Sequence, residues 1–177
     1  EHASVIRPDQ VAKASELGVS IAIQPHFVIS DWWVVDRVGA ERAPWVYPFK
    51  SIIGAGLTTG FSTDAPVEPV NPWDTVYAAV TRGTYEGVKL SELSKDQVLD
   101  VATALYCYTY GSAQLMHSEN EVGSLDVGKY ADLIIVDRDP LEANPRELRT
   151  IKVLGTVVGG EFVYVSSELP VCVHQGK

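Results

Sequence analysis

Cysteine is scarce in this chain: Cys107 and Cys172 are the only two among 177 residues, and neither belongs to a Cys-x-x-Cys pair. That excludes a disulfide framework and a thiolate zinc knuckle, and it leaves both expected as free thiols. Basic residues are the minority charge, 14 Lys and Arg against 23 Asp and Glu, for a net charge of −9. Such a balance argues against nucleic acid or an anionic membrane surface as partner. No apolar run approaches the roughly 20 residues of a membrane span, and no basic-then-apolar signal opens the chain. Cytoplasm is the default expectation. Repeats, low-complexity tracts and charge runs are missing too, while 46% hydrophobic and 21% charged content matches ordinary globular usage.

Helical and strand periodicity divide the chain into two textures. Pro8 can occupy a first helical turn, and Val11, Ala14 and Leu17 follow at helical spacing before Gly18. Val19 to Ile23 reads as a buried strand ending at Gln24-Pro25-His26. A long aromatic loop from Phe27 to Tyr47 carries Trp32, Trp33 and Trp45. Loops of that kind form substrate pockets or pack as core, and the residues alone leave both open. A short helix over 49–55, a strand over Leu57 to Phe61, and a helix capped by Asn71 with Pro72 at its first position follow. Ser94-Lys95-Asp96-Gln97 fits a capping box, which predicts a helix running on through Val98, Val101 and Leu105 to Tyr108. Past Asn120 short strands take over: 132–137, 151–158, a Gly159-Gly160 hairpin turn and 161–165.

One carboxylate stands out. In Gly60-Phe61-Ser62-Thr63-Asp64-Ala65-Pro66, Asp64 sits where an apolar strand meets a proline turn. In an eight-stranded α/β barrel that is where catalytic side chains lie, at the carboxyl ends of strands. Aspartate is also a common turn residue, and the local pattern does not choose between the two roles. Glu1-His2-Ala3 opens the chain on a histidine with no strand before it, as though the sequence began partway through a larger domain.

Taken in order, these segments resemble the amidohydrolase superfamily, in the branch of the N-substituted formamide deformylases. The resemblance rests on Glu1-His2-Ala3, Gln24-Pro25-His26, Ser30-Asp31, Arg37 to Ala43, Ser62 to Val67, Ala78 to Arg82, and Val122 to Leu133, and it covers residue 1 to about Val165. It implies an α/β fold in which residues 1–121 form the carboxyl-terminal part of a TIM-like barrel, the region of strands six to eight. Residues 122–177 would be part of a small β-sandwich and a tail.

The implied chemistry is metal-dependent hydrolysis of a carbon–nitrogen bond other than a peptide bond, on a small amide such as an N-substituted formamide. Asp64 would be catalytic, taking a proton from the attacking water and passing it to the leaving nitrogen. His2 and Asp64 would be metal ligands, with zinc the expected ion. His26, Trp32, Trp33 and Arg82 are candidate substrate contacts, with a backbone hydrogen bond the competing use for His26 and structural pairing for Arg82.

The superfamily also uses a His-x-His pair, and no two of His2, His26, His117 and His174 are one residue apart. The chain is therefore expected to be part of an enzyme, inactive and weak in zinc binding by itself. It should pair with a missing amino-terminal half or with copies of itself through open sheet edges. The alternative is a non-catalytic assembly or regulatory fragment without a complete metal site.

Overall fold

A computed structural model of the chain describes residues 1–170, so Cys172, His174 and the end of the expected tail lie outside the described residues. Helix α1 spans Pro8–Glu16, with proline at its first turn and the Gln10 amide oxygen accepting the Arg7 N–H at 3.0 Å. Strand β1, Ile21–Ile23, follows. The aromatic loop is not unstructured: it folds into α2, Phe27–Ser30, α3, Val34–Val38, and a 3₁₀ turn at Ala43–Trp45. Helix α4, Phe49–Gly54, leads into β2, Thr59–Phe61, and α5 covers Pro72–Thr81. As the sequence suggested, Asn71 caps α5, its Oδ1 accepting the Trp73 N–H at 3.1 Å.

The predicted capping box at Ser94 does not start a helix. After α6, Lys89–Leu93, the Ser94 hydroxyl donates to Leu90 O and accepts from the Arg82 guanidinium, and Lys95–Gln97 form a 3₁₀ turn. Helix α7, Val101–Tyr106, begins at Asp100, whose carboxylate accepts the Thr103 N–H at 2.7 Å. That amide and the Thr103 hydroxyl hold the Asp100 carboxyl below its ordinary range.

Two sheets result. Strands β1 and β2 pair in parallel, Ile21 opposite Thr59 and Ile23 opposite Phe61, so both carboxyl ends point the same way. Strands β3, Leu133–Val136, β4, Val153–Val158, and β5, Glu161–Val165, form an antiparallel sheet in the order β3-β4-β5, with the Gly159-Gly160 turn as expected. A 3₁₀ helix, Pro145–Thr150, fixes this second part to α5: Leu148 is buried, and Arg149 bridges Asp74 and Glu86 while lying over the Tyr77 ring. The architecture is thus mixed α/β. Among the described residues no helix is long and apolar enough to cross a membrane.

The parallel pair is short, and a helix holds it in place. Helix α7 continues through a π-helical turn, Cys107–Gly111, into α8, Ser112–Leu115. Glycines on both sides allow backbone contact with β2. A Cβ on Gly111 would stand 2.2 Å from Thr59 O, and one on Gly60 would stand 2.9 Å from Ser112 Cα. The Ser112 hydroxyl lies within bonding distance of Phe61 O, 3.0 Å, and Cys107 O, 2.9 Å, so it bridges helix and strand end.

Gly111→Ala should therefore lower unfolding stability by the upper end of the about 1–3 kcal/mol typical of overpacking. Gly54→Ala, where a Cβ meets nothing within 4 Å in a helix, should be neutral or gain up to about 1 kcal/mol. Urea titration of the two variants measures both, and equal effects would contradict the close approach. Burial pushes the Cys107 thiol up to about 12, with the nearby Asp100 charge adding to it. Since the thiolate is the reactive form, Cys107 should resist iodoacetamide in the native protein at pH 8 and react after denaturation, as read by peptide mass spectrometry.

Candidate active site

The site builds on the parallel pairing. Gln24 and Ser62 each follow their strand by one residue, so the register sets them side by side, and Ser62 N–H bonds to Ile23 O at 3.0 Å. Gln24 is buried and its amide is fully used. Nε2 donates to Ser62 Oγ at 2.7 Å and to the Glu1 carboxylate at 2.5 Å. A carboxylate only accepts, which orients the amide so that Oε1 faces His2 Nδ1 at 2.9 Å. His2 Nδ1 is consequently the protonated nitrogen, and Nε2 keeps its lone pair for another atom. The His2 backbone is held as well, its N–H bonded to Ala22 O at 2.9 Å beside β1.

Asp64 lies two residues beyond Ser62. It takes the left-handed region, φ 55°, and its own carbonyl accepts the Val67 N–H at 2.8 Å in a tight turn. The half-buried Asp64 carboxylate accepts no hydrogen bond among the described residues, although the turn role and a free carboxylate coexist. Positive φ at non-glycine residues is uncommon, yet His2, Ala3, Tyr47 and Asp64 all show it around these strand ends. Backbone strain of this kind collects where a side chain must be aimed.

A second polar group gathers around the candidate His26, with Glu68 as the member that the sequence did not mark. His26 Nδ1 bonds to Glu68 Oε2, and the Ser30 hydroxyl donates to Glu68 Oε1. The Tyr47 hydroxyl donates to Asp31. Burial, then Asp31, raises Tyr47 well above the ordinary phenol value, so the ring stays a neutral donor. The Phe27 ring stands between the two groups, 6.2 Å from His2 and 6.4 Å from Tyr47 between centroids.

The remaining candidates separate from this cluster. Trp32 and Trp33 are 64% and 41% exposed. Trp33 lies under the Arg37 guanidinium at 5.8 Å, and Trp32 lines a cleft with Asp36, Glu86 and Lys89; among the described residues neither ring is hydrogen-bonded to or stacked on His2, His26 or Asp64. Arg82 is buried, and its use is structural without being an ion pair. It donates to Ser94 Oγ at 2.9 Å, Tyr47 O at 2.9 Å and Val46 O at 2.8 Å, so a substrate cannot reach the guanidinium while that network is closed. Burial lowers Arg82 to about 10, which still leaves it charged at neutral pH.

Residues 1–164 match the family described as the Amidohydrolase family. The chain belongs to that family. It is 32% identical over 94% of its length to a putative amidohydrolase, YtcJ, of Bacillus subtilis, and 29% identical over 93% to an N-substituted formamide deformylase of Arthrobacter pascens. It spans 32% and 30% of those two proteins, about a third of each. Among solved structures, an uncharacterized metal-dependent hydrolase of Pyrococcus horikoshii superposes with a TM-score of 0.77 at 51% identity, covering 82% of this chain and 29% of that one.

His2 and Asp64 are donors of the kind a divalent ion such as zinc takes, a neutral imidazole nitrogen and a carboxylate. Their number is short: among the described residues no three His, Cys, Asp or Glu side chains converge as a metal site. Arg82→Lys tests the support beneath the cluster. A lysine cannot reproduce three planar donors, so stability should fall by about 3 kcal/mol, while exposed Arg42→Ala should change it by less than about 0.5 kcal/mol. Thermal melting distinguishes the two.

Proposed function

We propose that this chain carries part of the active site of a metal-dependent hydrolase acting on carbon–nitrogen bonds other than peptide bonds, with a small amide such as an N-substituted formamide as substrate. The observation that carries the reading is a pair of donor groups that no side chain among the described residues engages: His2 Nε2, left over by the Gln24 clip on a segment beside β1, and the Asp64 carboxylate, just past the end of β2. In this reading β1 and β2 are the seventh and eighth strands of a TIM-like barrel, and Glu1-His2 marks the end of the sixth. Residues 122–177 belong to a small β-sandwich. The backbone bond from His2 N–H to Ala22 O supports that placement, because it continues the sheet beyond β1.

A bound divalent ion, zinc by the donor types, would polarise the amide carbonyl and make water nucleophilic near neutral pH. His2 and Asp64 would hold it, and the Asp64 carboxylate would take the proton of the attacking water and deliver it to the departing nitrogen. Gln24 keeps His2 in the tautomer this requires, and Ser62 ties Gln24 to the strand that carries Asp64. The likeness to the deformylase and to the Pyrococcus metal-dependent hydrolase supports the reaction class.

Asp64→Asn in the full-length enzyme is nearly isosteric but can neither accept the water's proton nor carry the charge. Turnover of an N-alkylformamide should fall by about 100- to 10,000-fold, with the melting temperature unchanged. A variant that keeps more than roughly a tenth of wild-type kcat at full metal content would remove Asp64 from the proton path.

A further inference from the structure

His26, Glu68 and Ser30 form a buried polar centre that the reading above does not use. Side-chain exposure is 11% for His26 and 5% for Glu68. Both Glu68 oxygens are spent, one on His26 Nδ1 and one on the Ser30 hydroxyl. A carboxylate taken out of water is costly unless its lone pairs are met, and here two donors from one short stretch, His26 just before α2 and Ser30 at its end, meet them. His26 Nε2 has no hydrogen-bond partner among the described residues and is not among their fully buried unpartnered atoms either, so it keeps some access to solvent. His26 follows the carboxyl end of β1 by three residues, on the end of the parallel pair where Gln24 bonds to both His2 and Ser62.

We propose that Glu68 and Ser30 are positioning residues for His26, fixing the proton on Nδ1 so that Nε2 is presented as a hydrogen-bond acceptor to the polar N–H side of an amide substrate. The substrate contact rests on the amide-hydrolase reading; the fixed tautomer does not. The chemistry suits a secondary amide, because its N–H is the donor that an unprotonated Nε2 accepts. A formyl or acyl oxygen would instead need a donor, which this tautomer withholds. Ser30 matters because it occupies the second Glu68 oxygen and so stops the carboxylate from turning away from the ring.

The test uses the full-length enzyme with selectively ¹⁵N-histidine-labelled protein and, for kinetics, matched N-alkylformamide and N,N-dialkylformamide substrates. Long-range ¹H–¹⁵N spectra should show His26 protonated at Nδ1 and bare at Nε2, with that signature lost in Glu68→Gln and weakened in Ser30→Ala but kept in Ser30→Thr. His26→Asn, whose side-chain amide can still donate to Glu68, should raise KM for the N-alkylformamide by about tenfold or more and raise KM for the dialkylformamide, which has no N–H to offer, by clearly less. A His26 protonated at Nε2, or a tautomer indifferent to Glu68→Gln, overturns the positioning role. Equal KM changes for the two substrates, or none, overturn the substrate contact. If Asp64→Asn retains turnover while the tautomer result holds, the strand-end metal reading fails and the Glu68–His26 positioning stands. Should Glu68→Gln fail to fold, Ser30→Ala carries the spectroscopic test by itself.

Discussion

Parallel pairing of two three-residue strands sets everything at the site. Because β1 and β2 run the same way in register, the residues just past each strand, Gln24 and Ser62, fall next to one another. An antiparallel pair would have sent them to opposite ends. The Gln24 amide then has one orientation available, since the Glu1 carboxylate can only accept, and that orientation decides which nitrogen of His2 is free. A backbone register is thereby converted into the protonation pattern of a side chain on a third segment. The same strand ends launch the Asp64 turn and the α2 stretch that carries His26 and Ser30.

A ladder of three residues cannot hold this register unaided, so the constraint comes from elsewhere in the chain. Gly60 and Gly111 let the π-helical turn press its backbone against β2, and Ser112 joins the two by its hydroxyl. On the other side Arg82 clamps the carbonyls of Val46 and Tyr47, which fixes the loop whose Tyr47 hydroxyl reaches Asp31. Both devices are buried and remote in sequence from the groups they position. One works by leaving out side-chain atoms, the other by placing a single charge where several carbonyls converge.

Much of this was legible in the sequence where the cause is local. Pro8 and Asn71-Pro72 mark helix starts because proline lacks a donor that the first turn does not need, and Gly159-Gly160 marks a hairpin because both residues take positive φ. Asp64 drew notice from its place between a strand and a proline. Where the cause is tertiary, the pattern misled or stayed silent. Ser94 had the spacing of a helix cap, but its hydroxyl is claimed by Leu90 O and the Arg82 guanidinium, and the helix waits for Asp100. Glu68, between a valine and a proline, carries no local mark; only the fold brings it to His26, 42 positions away. Gln24 was visible as part of a motif, yet its role as the clip between His2 and Ser62 follows from pairing that no window of sequence contains. For Trp32 and Trp33 the sequence left pocket wall and core packing open, and burial answers one half of that: both rings are exposed and neither is core.

The two histidines at these strand ends show how one residue type is given two characters by its neighbour. His2 is steered by a neutral amide whose direction is imposed by further hydrogen bonds, so its orientation depends on a chain of three groups, Glu1, Gln24 and Ser62. His26 is steered by a carboxylate directly, and only Ser30 keeps that carboxylate aligned. In each case the nitrogen facing the protein is the donor, so in the neutral ring the other nitrogen is bare. A bare nitrogen can bind a metal ion or accept from a substrate N–H, but it cannot donate to a carbonyl oxygen. Any donor to that oxygen must therefore come from a group other than these two rings in their fixed tautomers, which narrows what the rest of the site has to supply.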